Sequence, residues 1–150
     1  MRTGRRLGID VGKARVGVAV CDPHGMIATP VATVPRADDA VRAVVDHAAE
    51  HQPIEIVVGL PLSLSGADTP STQDARDFAA EVAAASGIPV RLVDERLSTV
   101  TAQAALRASG RNTRKSRPVI DQVAAVIILQ HALDAERSGG IPPGSIVALE

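Results

Sequence analysis

Three acidic residues, Asp10, Glu95 and Asp121, lie at positions where burial should discourage a charge. Asp10 lies inside the apolar run of residues 7–11, and Glu95 follows the apolar run of residues 90–93. Asp121 lies near the start of a predicted helix that is apolar nearly all round. An ionised carboxylate sealed from water without a partner destabilises a fold by on the order of several kcal/mol. Convergence of the three acids on one metal site would explain all of them together.

Each acid also has a structural interpretation when it is considered alone. Asp10 could accept hydrogen bonds from the turn that follows its strand. Glu95 could form an ion pair with Arg91 or Arg96, and Asp121 could be favoured by the positive end of the helix dipole. Sequence distance alone does not show that the three acids meet, so these interpretations remain open.

Positive side chains form two local clusters. Three arginines occur within the first six residues, and a polar segment between two predicted helices carries Arg111, Arg114, Lys115 and Arg117. Because the net charge is −1, any binding of nucleic acid must come from local patches of this kind rather than from the overall field. A solvated basic loop explains the same residues. Phe78 is the only aromatic residue, which excludes stacking of bases on an aromatic platform.

Length and composition indicate one globular domain. The chain has 150 residues, of which 45% are hydrophobic and 22% charged, which is typical of neither disordered nor membrane proteins. No apolar run approaches the roughly 18 residues of a membrane span, and the start does not resemble an export signal. The single cysteine, Cys21, fits a reducing cytoplasm. We expect a cytoplasmic domain over residues 1–137 and a flexible Gly/Pro-rich tail over residues 138–150.

The elements that must position the acids follow from hydrophobic periodicity. Strand-like runs at 5–11, 15–21 and 26–34, joined by short turns, predict an antiparallel meander. The remaining elements are predicted as a helix at 38–51, a strand at 54–59, a helix at 71–86, a strand at 90–93, and helices at 99–108 and 118–136. This order predicts an α/β fold with a mixed sheet of five strands, three in the meander and two parallel, with helices on its faces.

Several motifs occur in one order between residues 8 and 130 and resemble the YqgF/RuvX family. They are Gly-Ile-Asp-Val-Gly at 8–12, Arg-Val-Gly-Val-Ala at 15–19, Val-Gly-Leu-Pro-Leu at 58–62, Asp-Glu-Arg-Leu-Ser-Thr at 94–99, Ile-Asp-Gln at 120–122 and Ile-Leu-Gln at 128–130. The first glycine block also occurs in actin-like ATPases and sugar kinases, whereas the fourth and fifth blocks are more specific. The resemblance implies an RNase H-like fold with helices on both faces of the sheet.

The resemblance also implies a function. The family is described as the nuclease that matures the 5′ end of bacterial pre-16S ribosomal RNA, with some members linked to Holliday-junction resolution. Asp10, Glu95 and Asp121 are then the catalytic residues and the ligands of one or two Mg²⁺ or Mn²⁺ ions, since these ions prefer oxygen ligands. Of the neighbouring acids Asp94 and Glu95, the resemblance selects Glu95.

Expected partners are precursor ribosomal RNA or branched DNA, and ribosomal precursor particles, with the protein acting away from membranes as a monomer or homodimer. The expected nucleic-acid contacts are Lys13, Arg15, Arg96, Arg111, Arg114, Lys115 and Arg117. The chain departs from the family pattern in two places. Ala14 separates Lys13 from Arg15 where the family usually has a Lys-Arg pair, and Ser63 and Ser65 stand where it often has Asn and Asp.

Other functions remain as alternatives. A non-catalytic nucleic-acid-binding module of the same fold would lack a working acid set, and all three acids are present here. An actin-like phosphotransferase needs a second half, for which 150 residues leave no space. His47 and His51 match the His-x-x-Glu-His pattern of inverted zinc proteases, but they occupy the last turn of a predicted helix and no third ligand motif follows.

Overall fold

The chain forms a mixed sheet flanked by helices in a computed structural model that describes residues 1–95 and 113–147, with residues 113–121 described as helical backbone alone. The strands are β1 (Arg6–Val11), β2 (Arg15–Cys21), β3 (Ala28–Pro35), β4 (Glu55–Leu60), β5 (Val90–Asp94) and β6 (Ser145–Ile146). The helices of the described residues are α1 (Ala40–His51), α2 (Pro70–Ser86) and α3 (Thr113–Gly139). None of these helices is long and apolar enough to cross a membrane.

The strand order is β3-β2-β1-β4-β5-β6. Antiparallel pairing of β1 with β2 and of β2 with β3 confirms the predicted meander, and β1, β4 and β5 run parallel. The expectation of five strands is wrong by one strand, because part of the predicted tail pairs with β5 through Ser145 and Ile146. This strand covers a sheet edge whose backbone groups would otherwise be unpaired. Two residues are too few for a periodic signal in the sequence.

The ends of the first two helices follow ordinary capping rules. Helix α1 ends at His51, and Gln52 adopts a left-handed conformation before Pro53. Helix α2 begins after Thr69, whose side chain accepts a hydrogen bond from the backbone N–H of Thr72 while the Thr72 side chain accepts one from the backbone N–H of Thr69. These boundaries agree with the predicted helices to within two residues.

Helix α3 is longer than expected. The sequence predicts its start at Pro118, whereas the helix begins at Thr113. The residues before the proline are mostly good helix formers, so the helix continues through them and the proline does not mark its first turn. Arg114, Lys115 and Arg117 therefore belong to the helix rather than to a preceding loop. The predicted helix at 99–108 lies outside the described residues.

The two faces of the sheet carry separate apolar cores. Along β1, Leu7, Ile9 and Val11 lie on the face of the sheet that α1 and α2 cover. The alternate residues point to the opposite face, which α3 covers through a second core that includes Ile128 and Leu129. A Cβ atom on Gly8 would lie 2.7 Å from the Cβ of Leu129, so the glycine lets α3 approach the strand closely. Alternation thus places Asp10 on the α3 face.

A buried ion cluster fixes the C-terminal half of α3 to this face. Glu136 accepts hydrogen bonds from Nη2 of Arg6 at 2.6 Å and from Nε of Arg2 at 2.7 Å. Glu55 accepts from Nη1 of Arg2 at 3.0 Å and from Nε of Arg91 at 2.9 Å. Arg6, Glu55 and Glu136 are each only 2% exposed. Because burial makes an unpaired charge costly, this cluster specifies the position of the helix along the sheet.

Candidate active site

Asp10 and Glu95 meet on the α3 face of the sheet. Asp10 is the fifth residue of β1, and Glu95 directly follows β5, with β4 between the two strands. The carboxyl groups are hydrogen-bonded to each other, and Glu95 is 8% exposed. The carboxyl ends of parallel strands converge on one sheet edge, which brings these two residues together across a long stretch of sequence.

Gly59 on β4 leaves the space that the Glu95 side chain occupies. A Cβ atom at Gly59 would overlap Oε2 of Glu95 and lie 2.6 Å from Cδ1 of Ile128. Gly59 pairs with Val93 of β5, and it directly follows Val58, which pairs with Ile9 of β1. The role of Gly59 was not identified from the sequence. A glycine inside a buried strand, here within the Val-Gly-Leu-Pro-Leu motif, is a signal of close approach that could have identified it.

The electrostatics of this pair favour a bound proton or a cation. Burial raises the pKa of Glu95 to about 8, and the negative charge of Asp10, its hydrogen bond to Glu95 and the charge of Asp94 act in the same direction. Oε2 of Glu95 is buried and has no hydrogen-bond partner among the described side chains. Unsatisfied buried oxygens are rare in native proteins, so this atom indicates a position for a ligand.

The donor set fits Mg²⁺ or Mn²⁺. Asp10 and Glu95 offer hard carboxylate oxygens and no nitrogen or sulfur donor, which is the preference of these two ions rather than of zinc. A cation held by the two groups would replace the shared proton and satisfy the buried oxygen. Within the residues whose side chains are described, no group of three His, Cys, Asp or Glu side chains is arranged to hold a metal ion. Asp121 is outside that set.

The backbone of α3 places position 121 toward the same region. Helical periodicity puts residue 121 one turn before Ala125 and two turns before Ile128, both of which are buried against the sheet. Ile128 in turn approaches the position of Gly59. Position 121 therefore lies on the helix stripe that faces the strands carrying Asp10 and Glu95.

A hydrogen bond near the start of α3 ties the helix to the sheet. Nε2 of Gln122 donates to Oγ1 of Thr33 at 2.9 Å, which restricts the position of the helix along the strands. Thr33 pairs with Gly17, and Gly17 pairs with Asp10. The start of the apolar part of α3 is thus level with the row of residues that contains Asp10. Gln122 and Thr33 were not identified from the sequence, because a tie between distant elements has no local pattern.

The structure gives other partners to two groups on which the structural alternatives for the first two acids depend. The N–H of Gly12 in the turn after β1 donates to the carbonyl of Arg15 at 2.9 Å. Arg91 pairs with Glu55, so it does not neutralise Glu95. The other proposed partner of Glu95, Arg96, lies outside the described residues.

The expected nucleic-acid contacts divide into three groups. Lys13 is exposed in the turn that follows β1, and Arg15 begins β2 and is half-buried. Arg114, Lys115 and Arg117 lie in the first turns of α3, where only the backbone is described. Arg96 and Arg111 are outside the described residues. Lys13 is therefore a predicted contact whose side chain the structure describes as exposed, in the turn that follows the strand of Asp10.

Comparison with known proteins places the chain in a family. Residues 4–135 match the RuvX family, described as "Holliday junction resolvase". The chain belongs to the RuvX family. This match spans the strands that carry Asp10 and Glu95 and most of helix α3.

Several curated RuvX-type relatives carry the name "Putative pre-16S rRNA nuclease". One from Clavibacter michiganensis subsp. michiganensis is 65% identical over 98% of this chain and 93% of its own length. One from Leifsonia xyli subsp. xyli is 58% identical over 96% of this chain and 94% of its own length. One from Streptomyces coelicolor is 57% identical over 96% of this chain and 88% of its own length. These names and the family description support a nuclease role.

Two solved structures show the fold of this RuvX chain. Thermus thermophilus RuvC in complex with a Holliday junction substrate superposes with a TM-score of 0.59 at 18% identity, covering 93% of this chain and 99% of RuvC. A second structure of the same protein gives a TM-score of 0.56 at 18% identity with the same coverage. The expected RNase H-like α/β fold is confirmed, with six strands in place of five.

Proposed function

We propose that this RuvX-family protein is a hydrolase that cleaves phosphodiester bonds with the help of a divalent metal ion, and that it acts in the cytoplasm on the 5′ end of pre-16S ribosomal RNA. The observation that carries the proposal is the hydrogen-bonded pair of Asp10 and Glu95, in which a buried oxygen of Glu95 lacks a partner among the described side chains. Family membership and the names of the relatives support the same conclusion.

The proposed ligands of one or two Mg²⁺ or Mn²⁺ ions are Asp10, Glu95 and Asp121. A bound ion of this kind supplies Lewis-acid stabilisation of the charge that develops on the phosphate oxygens and lowers the pKa of bound water. Glu95 would give up its proton on binding the cation, and Asp10 would hold the ion together with it. Ile128 and Val93 belong to the apolar core on this face of the sheet, and apolar surroundings of this kind weaken competition from bulk water for these charges.

The proposed contacts with the substrate are made to its backbone. Phe78, the only aromatic residue, is 2% exposed, so it is not available for stacking on bases. Lys13 projects from the turn that follows the strand of Asp10, where a bound phosphodiester would pass. The remaining proposed phosphate contacts are Arg15, Arg96, Arg111, Arg114, Lys115 and Arg117. Contacts of this kind fix the position of a strand without reading its sequence.

A branched-DNA substrate is the second candidate. The family description and the likeness to a RuvC bound to a Holliday junction favour it, whereas the names of relatives up to 65% identical favour ribosomal RNA. The two substrates also suit different oligomeric states. A four-way junction has two symmetric strands to be cut, which suits a homodimer, whereas an RNA end has one, which suits a monomer. The purified protein should therefore be compared on both substrates at equal concentrations.

The test uses an RNA that carries the 5′ extension of 16S and a four-way DNA junction, each with Mg²⁺, Mn²⁺ or EDTA. Cleavage of the RNA at the mature 5′ end, only with a metal, is the expected result. Asp10→Asn and Glu95→Gln should lower kcat by at least about a thousandfold, in line with the loss of a group acting in the transition state. Asp94→Asn, which changes the exposed neighbouring acid, is the matched control and should retain cleavage.

Calorimetric titration with Mn²⁺ gives a second readout that does not depend on the substrate. The parent should bind the ion, and both active-site variants should bind it at least about tenfold more weakly. Cleavage of RNA or DNA by Asp10→Asn at the rate of the parent would show that the proposed site is wrong. Binding of nucleic acid without any cleavage would support the non-catalytic module instead.

A further inference from the structure

Arg36, which directly follows β3, ties the turn between β1 and β2 to helix α2. Its backbone N–H donates to the carbonyl of Ala14 at 2.9 Å, and its Nη1 donates to the carbonyl of Gly12 at 2.9 Å. Nη1 and Nη2 also form a two-pronged ion pair with Asp74 at 2.9 and 3.0 Å. The guanidinium group lies 5.1 Å from the centroid of the Phe78 ring. One residue thus joins the turn, the strand end and the helix.

The two carbonyls that Arg36 binds belong to the residues directly before and directly after Lys13. The Gly12 carbonyl is part of the peptide unit that precedes Lys13, and the Ala14 carbonyl is part of the peptide unit that follows Ala14. The two hydrogen bonds therefore hold the chain on either side of the Lys13–Ala14 pair, which restricts the direction in which the Cα–Cβ bond of Lys13 points. The Lys13 side chain itself is exposed. The hydrogen bonds of Arg36 therefore restrict the base of a side chain whose end is available to a ligand.

Arg36 is poorly placed to bind a phosphate itself. Its side chain is 23% exposed, and both terminal nitrogens are engaged by the carboxylate of Asp74. The ring of Phe78 lies against the guanidinium group, where it interacts with the cation. Ion pairs between Arg and a carboxylate with two parallel hydrogen bonds are geometrically specific, so the arginine is held in one orientation.

We propose that Arg36 is a positioning residue for nucleic-acid binding that acts through Lys13 by holding the turn at Gly12 and Ala14, the residues on either side of it. This inference rests on the proposed function, because it takes Lys13 as a phosphate contact. Ordering the turn before the substrate arrives reduces the conformational freedom that binding must remove, and this strengthens binding by the lysine. The hydrogen bond from the N–H of Gly12 to the carbonyl of Arg15 closes the same turn.

The experiment measures the affinity for a fluorescently labelled single-stranded RNA in EDTA, over a series of salt concentrations. Removing one phosphate interaction with a single strand reduces the slope of log K against log salt by about 0.7. We expect Lys13→Ala to lower the slope by about this amount. Arg36→Met should lower the affinity several-fold and reduce the slope by a fraction of the same amount. The double variant should match Lys13→Ala.

A second ion pair on the same helix supplies the matched control. Arg76 of α2 pairs with Asp68 in the preceding loop, and its hydrogen bonds go to that carboxylate rather than to the turn that holds Lys13. Arg76→Met removes one arginine and one ion pair, as Arg36→Met does. It should leave both the affinity and the salt slope close to those of the parent.

Three outcomes would overturn the inference. If Arg36→Met has the affinity and the salt slope of the parent, the turn does not need the hydrogen bond from the Arg36 side chain to Gly12. A further loss of slope in the double variant, beyond that of Lys13→Ala, shows that Arg36 contacts phosphate itself. If Arg36→Met does not fold, Asp74→Ala replaces it, because this change removes the anchor and leaves the arginine in place. An unchanged slope for a folded Asp74→Ala protein also overturns the inference.

Failure of the proposed function gives a different result. If the parent binds no RNA at any salt concentration, the nuclease proposal fails at its first step and the positioning role of Arg36 fails with it. If the parent binds and cuts RNA while Arg36→Met and Lys13→Ala behave like the parent, only the inference about the turn fails.

Discussion

Glu95 reaches across the position of Gly59 to hydrogen-bond with Asp10, two strands away in the sheet. The contact joins two carboxyl groups in a place where burial already disfavours charge on Glu95. Two carboxylates in contact cannot both ionise easily, so the pair retains a proton near neutral pH. This relationship leads to predictions about stability, metal binding and the space around the pair.

The first prediction concerns the pH dependence of stability without metal. The pKa of Glu95 is raised from 4.5 to about 8, so the folded protein binds this proton more tightly than the unfolded chain does. The resulting stabilisation is complete below pH 4.5 and is lost as the pH rises through about 8. In EDTA, Glu95→Gln should be more stable than the parent at about pH 9, by roughly 1–4 kcal/mol, and should lose less stability between about pH 5 and 8.

Chemical denaturation at a series of pH values measures this difference. Glu81→Gln, which removes an exposed acid of α2, is the control and should show the pH profile of the parent. A Glu95→Gln protein that loses stability with rising pH as steeply as the parent would show that Glu95 does not hold the proton.

The second prediction concerns metal and stability. A cation that binds the folded protein and not the unfolded chain stabilises the fold by about 2.7 kcal/mol at a hundred times its Kd. Mg²⁺ or Mn²⁺ should therefore raise the Tm of the parent by several degrees, since a change of 1 kcal/mol corresponds to about 2–4 °C in a domain of this size. Asp10→Asn should lose most of this gain. An equal rise in the Tm of the parent and of Asp10→Asn would show that the metal binds elsewhere.

The third prediction concerns the space at Gly59. A methyl group added there overlaps Glu95 and crowds Ile128, so Gly59→Ala should destabilise the protein by about 1–3 kcal/mol and displace Glu95. At a temperature where the variant is still folded, its rate of cleavage should fall by more than its loss of stability explains. Gly139→Ala is the matched control, because a Cβ atom at Gly139 meets no atom within 4 Å among the described residues. Full activity in Gly59→Ala would argue that the placement of Glu95 is unimportant.

The fourth prediction concerns the position of α3. Gln122→Ala removes the hydrogen bond to Thr33 that sets the helix level with the row of Asp10, at a cost in stability of about 1 kcal/mol. We expect kcat to fall at least about fivefold with little change in the affinity for RNA. Gln130→Ala removes ties to Met26 and Ala28 further along the helix, and should cost similar stability with little loss of kcat. The measurement is the kcat of each of the two glutamine variants relative to the parent.

Much of the fold was readable from the sequence because its signals are local. Strand alternation and turn residues predicted the three-strand meander, and the helical spacing predicted α2 with its end. The errors have local causes too. Two residues of β6 carry no periodic pattern, and the helix formers before Pro118 extend α3 beyond the proline.

The candidate site was readable only in part. The resemblance singled out Asp10, Glu95 and Asp121 as a set, and the structure brings the first two into contact while the third remains a proposal. Gly59 and Gln122 were not identified, because their importance depends on what lies opposite them in space. The role of Arg36 was equally hidden, since the residues that it joins are distant in sequence.

The sequence by itself determined which residues are apolar, where most of the strands and helices form, and which acids occur at unfavourable positions. These properties depend on neighbouring residues, whose spacing fixes the face on which each side chain lies. The tertiary structure decided that Glu95 passes over Gly59 to Asp10 and that the burial of Glu95 beside this second acid raises its pKa. Such features arise from burial and from the distance between charges, and both exist only when the sheet and α3 are assembled.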